Sequence, residues 1–280
     1  MLDIIKAILF GIVEGITEWL PVSSTGHMIL LNEFVKMDVS EDFWQMFLVV
    51  IQLGAILAVV ILFWNQIFPF DFSKKAREEH RVNRPEIWML WVKILVACIP
   101  AAIVGVLFDD ILDALFYNGT CVAIALIVFG IAFIVVENRN KGKEPKITEL
   151  SQIDIKTALM IGVFQLLAAI FPGTSRSGST IVGGLLIGVS RTVAAEFTFF
   201  LAIPVMFGAS LLKLVKFGLS FTSAEAAILL VGTVVAFIVS IVVIKFLLGY
   251  IRKHDFKVFG WYRIILGIIV IIATVTGVIG

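Results

Sequence analysis

Six blocks of the chain run almost unbroken in apolar residues, at about 44–64, 87–108, 119–136, 196–216, 225–245 and 261–280. Each approaches the roughly 20 residues that a helix needs to cross a bilayer, so each predicts a spanning helix. Trp44 and Trp64 bracket the first block at a separation of about 30 Å along a helix, which predicts an interface-seeking ring at each edge of the hydrocarbon. Trp88 and Trp261 open two further blocks in the same way. Two shorter apolar pieces, about 157–171 and 180–189, flank a polar string from Pro172 to Thr180. Neither piece is long enough to cross.

The connections carry the charge. Residues 65–86, 137–156 and 245–263 hold five Lys or Arg each, while the opposite connections carry Lys36, Lys213 and Lys216 among Asp38, Glu41, Asp42, Asp109, Asp110 and Asp113. The positive-inside rule places the basic loops in the cytoplasm. With Arg191, sixteen of the 22 basic residues then lie on that side. Block 119–136 must end there and block 196–216 must start there, so the stretch between them enters and leaves on one side. A re-entrant helical hairpin with its polar tip at 172–180 satisfies this, and such backbone is tolerated where protein or a wet cavity surrounds it.

Composition narrows the class further. The 280 residues are 60% hydrophobic and 15% charged, against about 45–50% and about 25% in soluble domains. The balance of 22 basic and 21 acidic residues offers no footprint for nucleic acid. Cys98 and Cys121 sit in apolar runs, where a thiol behaves as a small hydrophobe, and no disulfide or zinc framework follows. Glu14, Glu18 and His27 lie in the first apolar stretch, which a cleavable signal peptide would not tolerate, so the N-terminus is expected to be mature.

A shift of 151 positions superposes Ala7 on Ala158, Gly11 on Gly162, Pro21 on Pro172 and Ser24 on Ser175, with Glu14 on Gln165 and Ser23 on Thr174. The same shift pairs blocks that run in opposite directions. The chain therefore reads as a single all-α polytopic membrane domain: six transmembrane helices plus two re-entrant hairpins, in inverted-topology repeats of approximately 1–136 and 152–280. The cytoplasmic loop 137–156 joins them, both termini lie outside, and the two polar tips are expected to meet near the midplane.

Chemistry concentrates at the tips. Glu14 and Glu18, spaced i, i+4, share a helical face, and two carboxylates in an apolar helix are costly unless they meet a cation, a proton or each other. Ser23, Ser24 and Thr25 are candidate nucleophiles or ligand donors; His27 is a candidate acid, base or nucleophile. It is the one histidine in an apolar segment, since His80 and His254 sit in charged loops. In the second tip Arg176 lies among Gly173, Thr174, Ser175, Ser177, Ser179 and Thr180. Arginine offers a fork of donors to phosphate oxygens, and a helix starting near Ser177 adds free N–H groups, so the string reads as an anion cradle. It also imitates a nucleotide-binding loop, but Ser179 replaces the lysine and no strand precedes it, which rejects that reading. Lys6, Lys93 and Glu196 are expected to be edge groups or snorkelers.

This inventory suits phosphoryl transfer on a ligand that lives in the membrane. A divalent cation on Glu14 and Glu18 would bridge pyrophosphate oxygens, with Arg176 stabilising the transferred group. The run Glu14-x-x-x-Glu18 followed by Trp19 to His27, and the Pro-Gly-x-Ser-Arg-Ser-x-x-Thr pattern from Pro172 to Thr180, resemble the bacterial undecaprenyl pyrophosphate phosphatases of the bacitracin-resistance type. That resemblance implies hydrolysis of undecaprenyl pyrophosphate to the monophosphate, recycling the carrier for cell-wall synthesis. It further implies a plasma-membrane location, a site open to the outer side, and stimulation by Mg or Ca. Catalytic roles would fall on Glu18, Ser24, His27 and Arg176, with Glu14 beside Glu18 as metal ligand. Ser24 is the expected nucleophile, and a phosphohistidine route through His27 is the competing version. The expected partners are the lipid pyrophosphate and the bilayer, with a homodimer allowed and no nucleic acid. Secondary transporters share the layout of two broken hairpins, so a transporter or flippase for a lipid phosphate or small anion is the alternative.

Overall fold

The computed structural model describes residues 2–73, 82–116, 118–218 and 220–277, with backbone alone at 106, 109, 110 and 113. Lys74, Lys75, Arg77 and Arg81 of the first basic loop lie outside the described residues, as does the end of the last block beyond 277. Helices α1 (Leu2–Thr17), α2 (Ser24–Phe34), α3 (Glu41–Val50), α4 (Gln52–Leu62) and α5 (Trp64–Ile67) form the first part. After them come α6 (Pro85–Phe116) and α7 (Gly119–Asn140). The rest comprises a 3-10 turn (Leu150–Gln152), α8 (Ile155–Ile170), α9 (Arg176–Leu186), α10 (Arg191–Phe217), α11 (Ser223–Ile251) and α12 (Lys257–Val275). Among the described residues the only β pairing is two isolated bridges.

Among the described residues six helical segments are long and apolar enough to cross a membrane: Glu41–Leu62, Pro85–Gly105, Gly119–Asn140, Arg191–Phe217, Ser223–Ile251 and Lys257–Val275. They coincide with the six apolar blocks, and the protein is an all-α, multi-pass membrane protein. Its helices bury one stripe and leave an apolar one outward, as lipid solvation requires. On α7, Ile124, Val128, Ile131 and Val135 are exposed while Ala123, Leu126 and Phe133 are buried on the other face. On α11, Leu230, Val234, Ile238 and Val242 face out and Ala236, Ser240 and Ile244 face in.

Details depart from the sequence expectation. The first span breaks at Ile51, and Trp44 is buried rather than interfacial, its ring edge-on to Phe10 at 4.8 Å. Phe10 and Phe47 supply enough apolar surface to draw that indole inward; Trp64, exposed, stays at the edge and stacks on Phe68. Helix α6 continues through the acidic stretch 109–113 to Phe116.

The strongest helix pairings are α7 with α12, α1 with α11 and α6 with α8. Small residues make them possible, since in lipid van der Waals fit replaces the hydrophobic drive. A Cβ on Gly130 would lie 2.7 Å from the Gly260 carbonyl, and one on Gly260 would lie 2.7 Å from the Gly130 carbonyl. A Cβ on Gly11 would lie 2.6 Å from the Gly232 carbonyl. Gly130→Val should therefore lower stability by about 1–3 kcal/mol, the usual cost of overpacking. Gly105, where an added methyl group would meet no atom within 4 Å, serves as control. Thermal unfolding in detergent should separate the two, and equal midpoints for Gly130→Val and Gly105→Ala would contradict the packing argument.

Candidate functional site

Two short helix pairs carry the candidate residues. In the first, α1 closes with the Thr17 hydroxyl bonded back to the Val13 carbonyl at 2.7 Å, and residues 18–22 turn the chain into α2. In the second, α8 ends at Ile170 and Phe171 to Thr174 turn the chain into α9. Each following helix is capped by a serine in a left-handed conformation, Ser23 at φ 75° and Ser175 at φ 69°. Their hydroxyls accept the backbone N–H of Gly26 at 3.3 Å and of Gly178 at 3.1 Å. Such φ values cost a non-glycine residue on the order of 1–3 kcal/mol and persist where the surroundings over-determine them.

The two caps lie 152 positions apart, not 151. Glu14 and Gln165, the pair matched at 151, are both buried, so one extra residue enters between Pro172 and Ser175. Gly173 takes φ 91° there, and a Cβ on it would sit 2.6 Å from the Val122 carbonyl. The longer second tip brings Arg176, rather than a second serine, to the helix position that Ser24 occupies in the first.

Glu18 joins the tips. Its Oε2 accepts the Ser24 hydroxyl at 2.7 Å, its Oε1 accepts Arg176 Nη2 at 3.1 Å, and its backbone carbonyl accepts the Ser177 hydroxyl at 3.1 Å. The ion pair is largely shielded, with side-chain exposures of 7% for Glu18 and 12% for Arg176. Arg176 Nη1 donates to the Thr198 carbonyl at 2.9 Å, while its Nε is buried with no protein partner. Trp19 is fully buried beside this set, edge-on to Phe199 at 5.2 Å.

His27 stands apart from that network. Its Nδ1 is 2.7 Å from the Ser23 carbonyl, so Nδ1 donates; in the neutral ring Nε2 then accepts the Tyr262 hydroxyl, also at 2.7 Å. The two rings lie nearly parallel, 5.6 Å apart.

The other expected residues fall into two groups. Thr174 is buried with a partnerless hydroxyl, and Thr25 is half-buried on the first turn of α2. Hydroxyls of Ser23, Ser175, Ser177 and Thr180 are engaged within the fold, Thr180 with the Thr198 hydroxyl at 2.8 Å and the Arg176 carbonyl at 2.9 Å. Glu14 is buried with Oε1 unpartnered. Among the described residues no three His, Cys, Asp or Glu side chains cluster. Two carboxylates suit a hard cation that keeps its waters and shares phosphate oxygens, as Mg does, and the free oxygen of Glu14 fits that use. Of the edge groups, Lys6 pairs with Asp3 at 3.1 Å and Lys93 reaches the Ser151 carbonyl at 3.4 Å.

Arg263 corrects the count of loop cations. It lies inside α12, fully buried, and its guanidinium donates to the carbonyls of Pro21 at 3.2 Å, Gly173 at 2.9 Å and Thr174 at 2.7 Å. One side chain thus ties both tips to α12, with a further bond to the Leu126 carbonyl at 3.4 Å. Tyr262, its neighbour, holds His27. Sequence reasoning missed both because Trp261-Tyr262-Arg263 reads as an interfacial aromatic and basic edge. The available signal was position, since Arg263 lies six residues inside a helix that starts at Lys257.

The fold defines a multi-pass helical membrane protein, and its half-buried Ser24 and Arg176 around the buried Glu18 are the residue types that handle phosphoryl groups. Residues 7–269 match the family model described as Bacitracin resistance protein BacA, and the chain belongs to that family. An undecaprenyl-diphosphatase of Desulfitobacterium hafniense is 65% identical over 272 residues, covering 97% of this chain and 96% of the relative. Undecaprenyl-diphosphatase 1 of Clostridium acetobutylicum is 64% identical over 271 residues, 97% of each chain. An undecaprenyl-diphosphatase of Enterococcus faecalis is 60% identical over 273 residues, 98% of each.

Removing Arg263 would leave several tip carbonyls unpaired in a dry interior, at about 1–3 kcal/mol each. Arg263→Met should therefore lower the thermal midpoint and abolish the tip-dependent activity, with Arg263→Lys intermediate. A wild-type midpoint in Arg263→Met, measured by thermal unfolding in detergent, would show that the tips hold without it.

Proposed function

We propose that the Glu18 carboxylate activates Ser24 for attack on the terminal phosphorus of undecaprenyl pyrophosphate. The enzyme is an undecaprenyl-diphosphatase: it releases inorganic phosphate and returns undecaprenyl phosphate, the activity that underlies bacitracin resistance in its family. The observation that carries the catalytic assignment is Glu18 bonded at once to the Ser24 hydroxyl and to Arg176. A transporter or flippase reading is not favoured, because the similar chains are named as diphosphatases.

In this reading Ser24 Oγ gives its proton to Glu18 as the Oγ–P bond forms. The bridging P–O bond breaks, and undecaprenyl phosphate leaves. Water then attacks the phosphoseryl phosphorus and gives its proton to His27 once Nε2 is released from Tyr262, while the protonated Glu18 returns its proton to the departing Ser24 Oγ. Arg176 supports the phosphoryl oxygens, and its unpartnered Nε is a donor already desolvated for that purpose. The first amides of α9, with Thr174 and Thr25, extend the cradle. Gly173, packed on the Val122 backbone, and the Ser23, Ser175, Ser177 and Thr180 hydroxyls shape it. Glu14 and Glu18 would hold a divalent cation, Mg or Ca, which when bound neutralises pyrophosphate charge.

The topology belongs to the same proposal. The basic loops lie in the cytoplasm of a bacterial plasma membrane, both termini lie outside, and the two halves, about 1–136 and 152–280, form inverted repeats whose re-entrant tips open to the outer side. The helix pairing supports this, because α1 packs on α11 as its counterpart α8 packs on α6, while α7 and α12 pair with each other. A homodimer through the exposed apolar faces completes the reading.

Phosphate release from undecaprenyl pyrophosphate by purified protein tests the residue roles. Ser24→Ala and Glu18→Gln should each lose about 10²-fold or more, the usual value of a positioned base and its nucleophile. Arg176→Ala should lose about 10³-fold, as arginines on transferred phosphoryl groups do. Unchanged release by Ser24→Ala would transfer the attack to another group, with His27 first in line.

A further inference from the structure

On the side of the basic loops, at the opposite end of α9 from the tip residue Arg176, a cavity of about 620 Å³ lies between the ends of α7, α9, α10 and α11. Six cations line it: Arg139, Lys141, Lys143, Lys146, Arg191 and Arg252. Two acids share the lining. Glu137 is consumed inside the fold, where its carboxylate takes Arg191 Nε at 2.8 Å and the Phe256 amide at 2.9 Å. That leaves Glu144 against five cations. Among the described residues Arg139, Lys141, Lys143 and Lys146 make no ion pair.

A loop that served only to orient the chain in the membrane would need charge but no fixed shape. This one is fixed. The amides of Lys146 and Ile147 donate to the Gly188 carbonyl at 2.8 and 3.1 Å, the Ser190 amide donates to the Ile147 carbonyl at 2.8 Å, and Asn140 Nδ2 donates to the Leu185 carbonyl at 2.8 Å. Gly188, at φ 92°, makes the turn that admits this clamp. The lysines are thus held over a concave wall formed on its other side by Leu186, Ile187 and Ile251, with Leu186 exposed. The first turn of α10, at Arg191 and Thr192, adds amides that have no intrahelical acceptor.

From this cavity we infer a second, non-catalytic binding site for the phosphate headgroup of an anionic membrane lipid in the leaflet of the basic loops. Clustered cations supply the phosphate ligands, and the apolar wall takes the adjoining glycerol and first methylenes. Basic pockets between transmembrane helices bind phosphate headgroups by this chemistry. The volume lies in the range of small-ligand sites.

The purified full-length protein in a neutral detergent should be titrated with dioctanoyl phosphatidic acid, dioctanoyl phosphatidylcholine and inorganic phosphate, with binding followed by native mass spectrometry. Phosphatidic acid should bind saturably. The combined Lys141→Gln, Lys143→Gln and Lys146→Gln variant should bind it about tenfold or more weakly, while Lys213→Gln with Lys216→Gln should not change it. The three lysines are exposed, so an unaltered thermal midpoint without lipid verifies the fold of the variant. Equal binding of phosphatidylcholine, equal binding of inorganic phosphate, or equal losses in both lysine variants would overturn the inference. A loss confined to Arg176→Ala would place the lipid at the tips and overturn it too, whereas diphosphatase activity plays no part in the readout.

Discussion

A carboxylate buried in a lipid-solvated bundle is costly unless it meets a cation or a proton, and Glu18 meets Arg176 where the two halves of this chain join. Glu18 belongs to the first tip, as does Ser24; Arg176 and Ser177 belong to the second. Removing either charge of such a pair typically costs about 3–5 kcal/mol, because the other is left uncompensated. In the proposed reading the ion pair serves structure and reactivity together. It holds the carboxylate beside a serine hydroxyl and, in that reading, places a guanidinium where a phosphoryl group would carry its charge.

Around that pair the fold is organised to hold two interruptions still. Neither tip is a regular helix, so both leave backbone carbonyls without an intrahelical donor. Arg263 answers this from α12 by collecting carbonyls of both tips on one guanidinium. Glycine contacts such as Gly130 on Gly260 let α7 and α12 approach closely enough for that reach. The left-handed Ser23 and Ser175 are then fixed from outside, as strained caps need to be.

Much of this was legible in the sequence, for reasons that differ by feature. Span length follows from bilayer thickness, so six blocks gave six helices. The interrupted stretch at 157–190 was exposed by the charge of its neighbours, and the i, i+4 pair Glu14 and Glu18 by its cost in an apolar setting. What escaped was tertiary choice. Arg263 stands in a run of cations and aromatics that a local reading assigns to the interface, and only the carbonyls of distant tips explain its burial. Trp44 turned inward because Phe10, 34 positions away, offered it a better surface than the headgroups did. The extra residue in the second tip was hidden because the helices before it keep the 151 register, and one insertion in a turn leaves little trace in periodicity. Tyr262 carried no sequence signal beyond its neighbour Trp261, yet it occupies the ring nitrogen of His27 that a phosphohistidine route would require.

The central claim is that Ser24, not His27, receives the phosphoryl group from the lipid. Undecaprenyl pyrophosphate labelled on its terminal phosphate, mixed with the enzyme and quenched within a turnover, tests it most directly once the label is mapped by peptide. The account predicts label on the peptide bearing Ser24, stable to acid and absent in Ser24→Ala. Acid-labile label on His27, or full turnover by Ser24→Ala, would contradict it.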